Sequence, residues 1–462
     1  MKKFLKYLLL ILAGVLLTGI TYLAFTFPPI MSGMAAKTMC SCVYVLGRSP
    51  ESVTEKELTV VPGLGRAKIK FVDSMSVTAT VLWSTKKAIY RKGLGCTMLA
   101  ERSEEEVRSQ KINLARLPAV DQDSLPWPIG NILSDSLLPG VDYPKIRQAI
   151  DDTFTEINPK RPLNTLAVII LYDGQIVGEK YAEGFNLNST LIGWSMTKSV
   201  TNALVGTLVK DGKLSLDDPA PVAEWRNDDR KNITLNNMMQ GSSGLEWNES
   251  YFLPGDFHNM FTHSDDKGGY AASKKLQYKP NEFFEYSSGA ANLISKIIRQ
   301  TVGDSLYHRY PYENFFYKIG MYHALLEPDA SGTFVGSSYG YASARDWARF
   351  GLLYLNDGVW NGKRILPEGW VKYSSTPAPA APIGQYGALW WLNAGAKNNP
   401  ENSYHPELPH DEYAAEGFEG QFVIIIPSKK LVVVRLGISH HQSGIIPLTQ
   451  KIIRALPENQ PR

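Results

Sequence analysis

The sequence has few cysteines, little net charge and none of the histidine patterns that hold metals. Cys40, Cys42 and Cys96 are the only cysteines in 462 residues, and all lie in the first quarter of the chain. With no other cysteine and no Cys-x-x-Cys pair, no structural zinc site is expected. In an oxidising compartment Cys96 could bridge to Cys40 or Cys42, whereas those two, only two residues apart, lack the geometry to bridge each other. The eight histidines are scattered and form no His-Glu-x-x-His motif, so neither a metallohydrolase nor any cofactor is indicated. His440 and His441 alone are placed by the pattern of strands where they could approach a cleft. The net charge is +3, which Lys2, Lys3 and Lys6 account for, and no basic patch marks a nucleic-acid partner. Internal repeats and low-complexity tracts are also missing. A composition that is 44% hydrophobic and 20% charged is that of an ordinary folded protein, and this length suggests two or three units.

The longest apolar run is at the N-terminus. Tyr7 to Phe27 carries no charge, and as a helix it spans roughly 30 Å, enough to cross a bilayer. The lysines before it favour a cytoplasmic N-terminus, a single pass through the cytoplasmic membrane and a body on the extracytoplasmic side. A cleaved signal peptide is the competing reading. The length of the run and the lack of a small-x-small cleavage site favour an uncleaved anchor over residues 1–27.

Residues 28–117 read as a small β-rich region, with strand patterns at Val77–Trp83 and Lys87–Arg91. Residues 118–143, with Pro118, Pro126, Pro128 and Pro139, read as a linker. From residue 144 to 462 the pattern is of one larger domain. Ile146, Ala149, Ile150 and Phe154 repeat at helical spacing. Leu166–Tyr172 and Gln175–Tyr181 flank Asp173-Gly174, which suits a type I′ hairpin turn. Phe422–Ile426 and Leu431–Leu436 form a second hairpin, and a last helix is expected over Leu448–Leu456. Strands at both ends with helices between predict one sheet built from sequence-distant strands, with a helical portion inserted.

The candidate chemistry centres on Ser195-Met196-Thr197-Lys198. Residues three apart on a helix are neighbours, so a Lys198 held neutral by desolvation and nearby positive charge can take the proton of Ser195. Val200, Ala203, Leu204 and Leu208 supply the buried face of that helix. A Ser-x-x-Lys tetrapeptide also arises by chance on solvated helices, so its weight depends on partners elsewhere. An acyl-transfer site further needs a proton donor and an oxyanion hole. Tyr286, in Glu285-Tyr286-Ser287-Ser288-Gly289, is the donor candidate.

These motifs resemble those of the penicillin-recognising serine hydrolases, the branch with class C β-lactamases, esterases, D-stereospecific peptidases and nylon-oligomer hydrolases. The resemblance spans about residues 144 to 460. It rests on Ser195-Met196-Thr197-Lys198, on Tyr286-Ser287-Ser288 in place of Tyr-x-Asn, and on Ala415-Glu416-Gly417-Phe418-Glu419-Gly420 in place of the third motif. It implies an α/β sandwich beside an all-helical lobe, with Ser195 in the cleft and Lys198 and Tyr286 as the acid/base pair. It also implies an oxyanion hole from the backbone N–H groups of Ser195 and Phe418, with Gly417, Glu416 and Ser288 as further oxyanion- or substrate-binding positions. The expected substrate is a small ester, amide or peptide.

Two departures bear on the substrate. Ser288 is shorter than the usual Asn, and Ala415-Glu416-Gly417 replaces Lys-Thr-Gly, removing a cation that helps to bind a β-lactam carboxylate. Esters or amides are therefore expected over β-lactams, and Glu416 favours an amine-bearing substrate. Two other readings compete. Gly336-Ser337-Ser338-Tyr339-Gly340 fits the Gly-x-Ser-x-Gly elbow of α/β-hydrolases, with Ser338 as nucleophile, although the strand expected before it is feeble. A catalytically silent envelope protein of the same fold is the other.

Overall fold

The computed structural model describes residues 2–251, 253–440 and 443–457. Its first element is a 43-residue helix, α1 (Lys2–Tyr44). The apolar side chains of its N-terminal half, from Phe4 to Phe25, are mostly exposed, whereas Ile30, Met31, Ala35, Ala36, Met39 and Cys40 are buried. The helix thus runs past the expected end of the anchor at Phe27, through Pro28 and Pro29, because its C-terminal half has a packing partner.

That partner is a four-stranded antiparallel meander, β1 (Lys68–Asp73), β2 (Ser76–Val81), β3 (Ser84–Arg91) and β4 (Gly95–Leu99), in the order β1-β2-β3-β4. Val77, Ala79, Ala88 and Cys96 bury one face of the sheet with α1, following the period of two expected of strands. A disulfide joins Cys40 on α1 to Cys96 on β4, leaving Cys42 as a buried free thiol. The expectation of a β-rich unit over 28–117 needs correction. Its first part is helical, with short helices at Pro50–Glu55 and Glu57–Val60 after α1, because small and apolar residues recur there at helical rather than alternating spacing.

This N-terminal unit is joined to the rest of the chain through buried polar groups. Glu327, with no exposed surface, accepts hydrogen bonds from Lys37, Ser41, the Cys96 N–H and the Tyr341 hydroxyl. Such a fully partnered carboxylate fixes the register of two units, since removing one donor strands a buried charge. The proline-rich stretch 118–143 lies against the larger domain. Arg349 donates to the carbonyls of Pro128 (2.9 Å) and Gly130 (2.8 Å), and the Trp127 indole donates to Gly174 O at 2.9 Å.

The larger domain opens with α2 (Tyr143–Thr153), capped by Asp142, whose side chain accepts from Lys145 N. The hairpin β5 (Thr165–Tyr172) and β6 (Gln175–Tyr181) follows, with Asp173 and Gly174 both at positive φ as a type I′ turn requires. Then come α3 (Met196–Lys210), α4 (Asp256–His263), α5 (Ser288–Val302) and α6 (Ala344–Leu355). The chain returns through β7 (Trp391–Leu392), β8 (Tyr413–Gly417), β9 (Gln421–Ile426) and β10 (Leu431–Gly437), and ends in α7 (Ile445–Ala455). The six-stranded antiparallel sheet has the order β7-β8-β9-β10-β5-β6, which pairs the last strand with the first.

Both faces of this sheet are buried, which explains its near-continuous apolar strands. Ala167, Ile169 and Leu171 of β5, with Val432 and Val434 of β10, face α6 and the helical lobe. Val168, Ile170, Leu431 and Val433 face α2 and α7. Gly351 lets α6 approach closely, since a Cβ there would stand 2.6 Å from Val432. The predicted sandwich beside an inserted helical lobe, with α3 at their junction, matches this architecture.

Candidate active site

Ser195 caps the N-terminus of α3 after a tight turn in which Met196 N donates to Gly193 O. Trp194, just before it, adopts a left-handed φ of 46°, an uncommon conformation for a bulky residue that is often found at functional sites. The end of β8 lies directly behind the turn, where a Cβ on Gly417 would stand 2.1 Å from Gly193 O. Only glycine permits that approach, which brings the third motif up to Ser195.

Lys198, one turn along α3, is 2% exposed. Its Nζ hydrogen-bonds Ser195 Oγ at 3.2 Å, Ser288 Oγ at 3.1 Å and Ser337 O at 3.1 Å. Desolvation lowers its pKa to about 8, opposed by the Glu249 carboxylate. Desolvation is as expected from the sequence, but in place of the expected positive charge the charge beside Lys198 is that of Glu249. Burial therefore accounts for the lowered basicity.

Tyr286 sits in the segment leading into α5 and interacts with the Ser195 hydroxyl. Its ring stacks on Trp391 at 5.2 Å and meets Tyr386 edge-on at 5.8 Å, with Lys198 Nζ 4.6 Å from the ring centre. Burial, then Tyr251, Tyr386 and Glu249, pushes its phenol well above the usual range. At neutral pH the phenol therefore keeps its proton.

Ser288 is placed differently from the expectation of a substrate contact. It is 1% exposed, accepts from Lys198 and donates to Glu249 Oε1 at 2.5 Å, so its hydroxyl is already engaged. The serine side chain, shorter than asparagine, stays inside the helix junction. Glu249, a lone acidic residue with no motif to mark it, was missed by the sequence reading. It also accepts from Ser288 N (2.9 Å), Trp247 Nε1 (2.5 Å) and Tyr251 OH (3.1 Å).

In the third motif, the Phe418 ring meets Trp194 edge-on at 5.8 Å, and Trp194 Nε1 donates to Glu419 Oε2 at 2.9 Å. Glu416 holds the Tyr404 hydroxyl at 3.4 Å, while its other oxygen is buried without a hydrogen-bond partner. Desolvation raises the pKa of both Glu416 and Glu419 to about 8. Ser195, Tyr286, Glu416, Gly417, Phe418 and Ser338 border one cavity of about 310 Å³, whose other walls are Met34, Val61, Trp194, Tyr251, Phe257 and Trp391.

Ser338 lines this cleft but is no elbow nucleophile. It precedes the short strand Gly340–Ser343, whereas an elbow follows a strand and opens a helix, and its hydroxyl is 3.0 Å from Ser337 Oγ. His440 borders a neighbouring cavity beside Phe418, and His441 lies outside the described residues.

The Beta-lactamase family model matches residues 150–442. The 6-aminohexanoate-dimer hydrolase of Paenarthrobacter ureafaciens is 23% identical over 327 residues, covering 63% of this chain and 75% of its own. A penicillin-binding protein homologue from Caulobacter crescentus superposes with a TM-score of 0.53 at 15% identity, covering 71% of this chain and 99% of that one. A family VIII carboxylesterase does so with a TM-score of 0.52 at 14% identity, covering 71% and 100%. At such identities the two structures speak for the fold, while the family match spans both the fold and the Ser195 and Tyr286 motifs. The chain belongs to the β-lactamase family, the penicillin-recognising serine hydrolases.

Proposed function

We propose that this protein is a membrane-anchored serine hydrolase that cleaves an ester or amide bond through an acyl-enzyme on Ser195. The observation that carries the reading is the buried amine of Lys198, with a pKa near 8 and 3.2 Å from the Ser195 hydroxyl. Neutral Lys198 takes the Ser195 proton as Oγ adds to the substrate carbonyl. The resulting oxyanion is received by the backbone N–H groups of Ser195 and Phe418, where the N-terminus of α3 also favours negative charge. As the intermediate collapses, Tyr286 protonates the leaving alcohol or amine, and the Lys198 ammonium returns a proton to the phenolate. Water, giving its proton to neutral Lys198, then attacks the acyl carbon, and collapse returns that proton to Ser195 Oγ as the acid leaves.

Ala415 stands where β-lactamases carry a lysine, with Glu416 beside it, so a β-lactam carboxylate meets no cation there and esters or amides are favoured. The name of the Paenarthrobacter relative supports turnover over silent binding. The exposed apolar half of α1 supports an anchor, and the Cys40–Cys96 disulfide supports a body outside the cytoplasm. A panel of p-nitrophenyl esters, D-amino-acid amides and aminohexanoate oligomers, run on the wild type and Ser195→Ala, tests the chemistry. Turnover is expected from the wild type only, and activity surviving in Ser195→Ala would overturn it. Retention in salt-washed membranes tests the anchor.

A further inference from the structure

The N-terminal unit reaches into the cavity that holds Ser195. Met34 of α1 and Val61, just after the short helix Glu57–Val60, form part of its wall together with Phe257 and Phe418. The loop carrying Val61 is packed at the same level of α1, since a Cβ on Gly63 would stand 3.6 Å from the Met31 methyl. Met34 is nine residues beyond Phe25, where the exposed half of the helix ends, which is roughly 14 Å along the axis. The substrate cavity therefore lies close to the level at which α1 leaves the folded body.

The surface at that level carries exposed apolar side chains. The turn joining β2 to β3 presents Leu82, 74% exposed, and Trp83, 55% exposed. Leu82 has a φ of 51°, a conformation for which turns favour Asn or Gly, so leucine is not there to make the turn. The Trp83 ring lies 5.5 Å from that of Phe25, and Ser84 Oγ is 3.0 Å from Ser32 Oγ, which fixes the turn beside α1. Arg66 and Lys68 are exposed nearby, with Lys68 paired to Thr80 two residues before the turn. A tryptophan and a leucine flanked by basic residues, continuous with a bilayer-length apolar helix, match an interface with anionic headgroups.

We propose that the Leu82–Trp83 turn docks in the bilayer surface beside α1, holding the cavity mouth there, and that the substrate is a membrane-resident ester or amide whose apolar chain packs against Met34 and Val61. The mostly apolar and aromatic cavity wall suits such a chain. This inference rests on the hydrolase and anchor readings above.

The test uses the full chain in vesicles of phosphatidylcholine and phosphatidylglycerol, with p-nitrophenyl laurate in the bilayer and p-nitrophenyl acetate in the water. Acetate turnover reports the Ser195 chemistry and folding, and flotation with the vesicles reports the anchor. The laurate-to-acetate rate ratio is expected to fall at least tenfold in Leu82→Ser/Trp83→Ser and in Met34→Gln. With both controls positive, an unchanged ratio in both variants overturns the inference alone. Loss of acetate turnover in the wild type, or of flotation, overturns it together with the reading on which it rests.

Discussion

The Ser288 hydroxyl accepts a hydrogen bond from Lys198 Nζ at 3.1 Å, so the residue standing where relatives carry Asn holds the proposed base in place. Its own proton goes to Glu249, which links the base to a carboxylate through one hydroxyl. Hydrogen bonds to charged groups contribute about 1.5–3 kcal/mol. Ser288→Ala should therefore lower kcat by roughly tenfold to a hundredfold with little change in KM, as expected of a positioning residue. Steady-state kinetics on a p-nitrophenyl ester read this, and a change confined to KM would instead make Ser288 a substrate contact.

The proposed base, Lys198, can act only when neutral, and its pKa lies near 8. The acylation rate should rise from pH 6 to pH 9 with a midpoint near 8. The Glu249 carboxylate raises the Lys198 pKa, so Glu249→Gln should move the midpoint to lower pH. Profiles of kcat/KM against pH for the two proteins check the sign, since an upward shift contradicts it.

Glu419, which is buried, and Glu416 have pKa values raised from 4.5 to about 8. Between these values the folded state holds protons that the unfolded state has lost, so stability falls as pH rises from 4.5 to about 8. Glu416, which keeps partial exposure, contributes the smaller part. Glu419→Gln keeps an acceptor for the Trp194 indole and should flatten the fall in Tm across that window, as thermal denaturation at several pH values would show.

The hairpins at both ends of the larger domain were legible because alternation and turn chemistry are local. Asp173-Gly174 marked β5 and β6 to within a residue, and the Ser195 helix followed from its own spacing. The length of α1 was not legible, because only tertiary packing of its C-terminal half carries the helix past Phe27 and through Pro28 and Pro29. Glu249, Met34 and Val61 were missed for the same reason, since each reaches Ser195 or Lys198 from a distant segment without a motif. The hydrogen bonds of Ser288 could not be read from the sequence either, because they depend on Glu249.

Whether Ser195 carries the acyl group is read by intact-protein mass spectrometry after rapid mixing with a slowly hydrolysed ester. A transient mass increase equal to the acyl group is expected, mapped to the peptide containing Ser195 and missing from Ser195→Ala. Product formation without any adduct on Ser195, or the same adduct on Ser338, would contradict it.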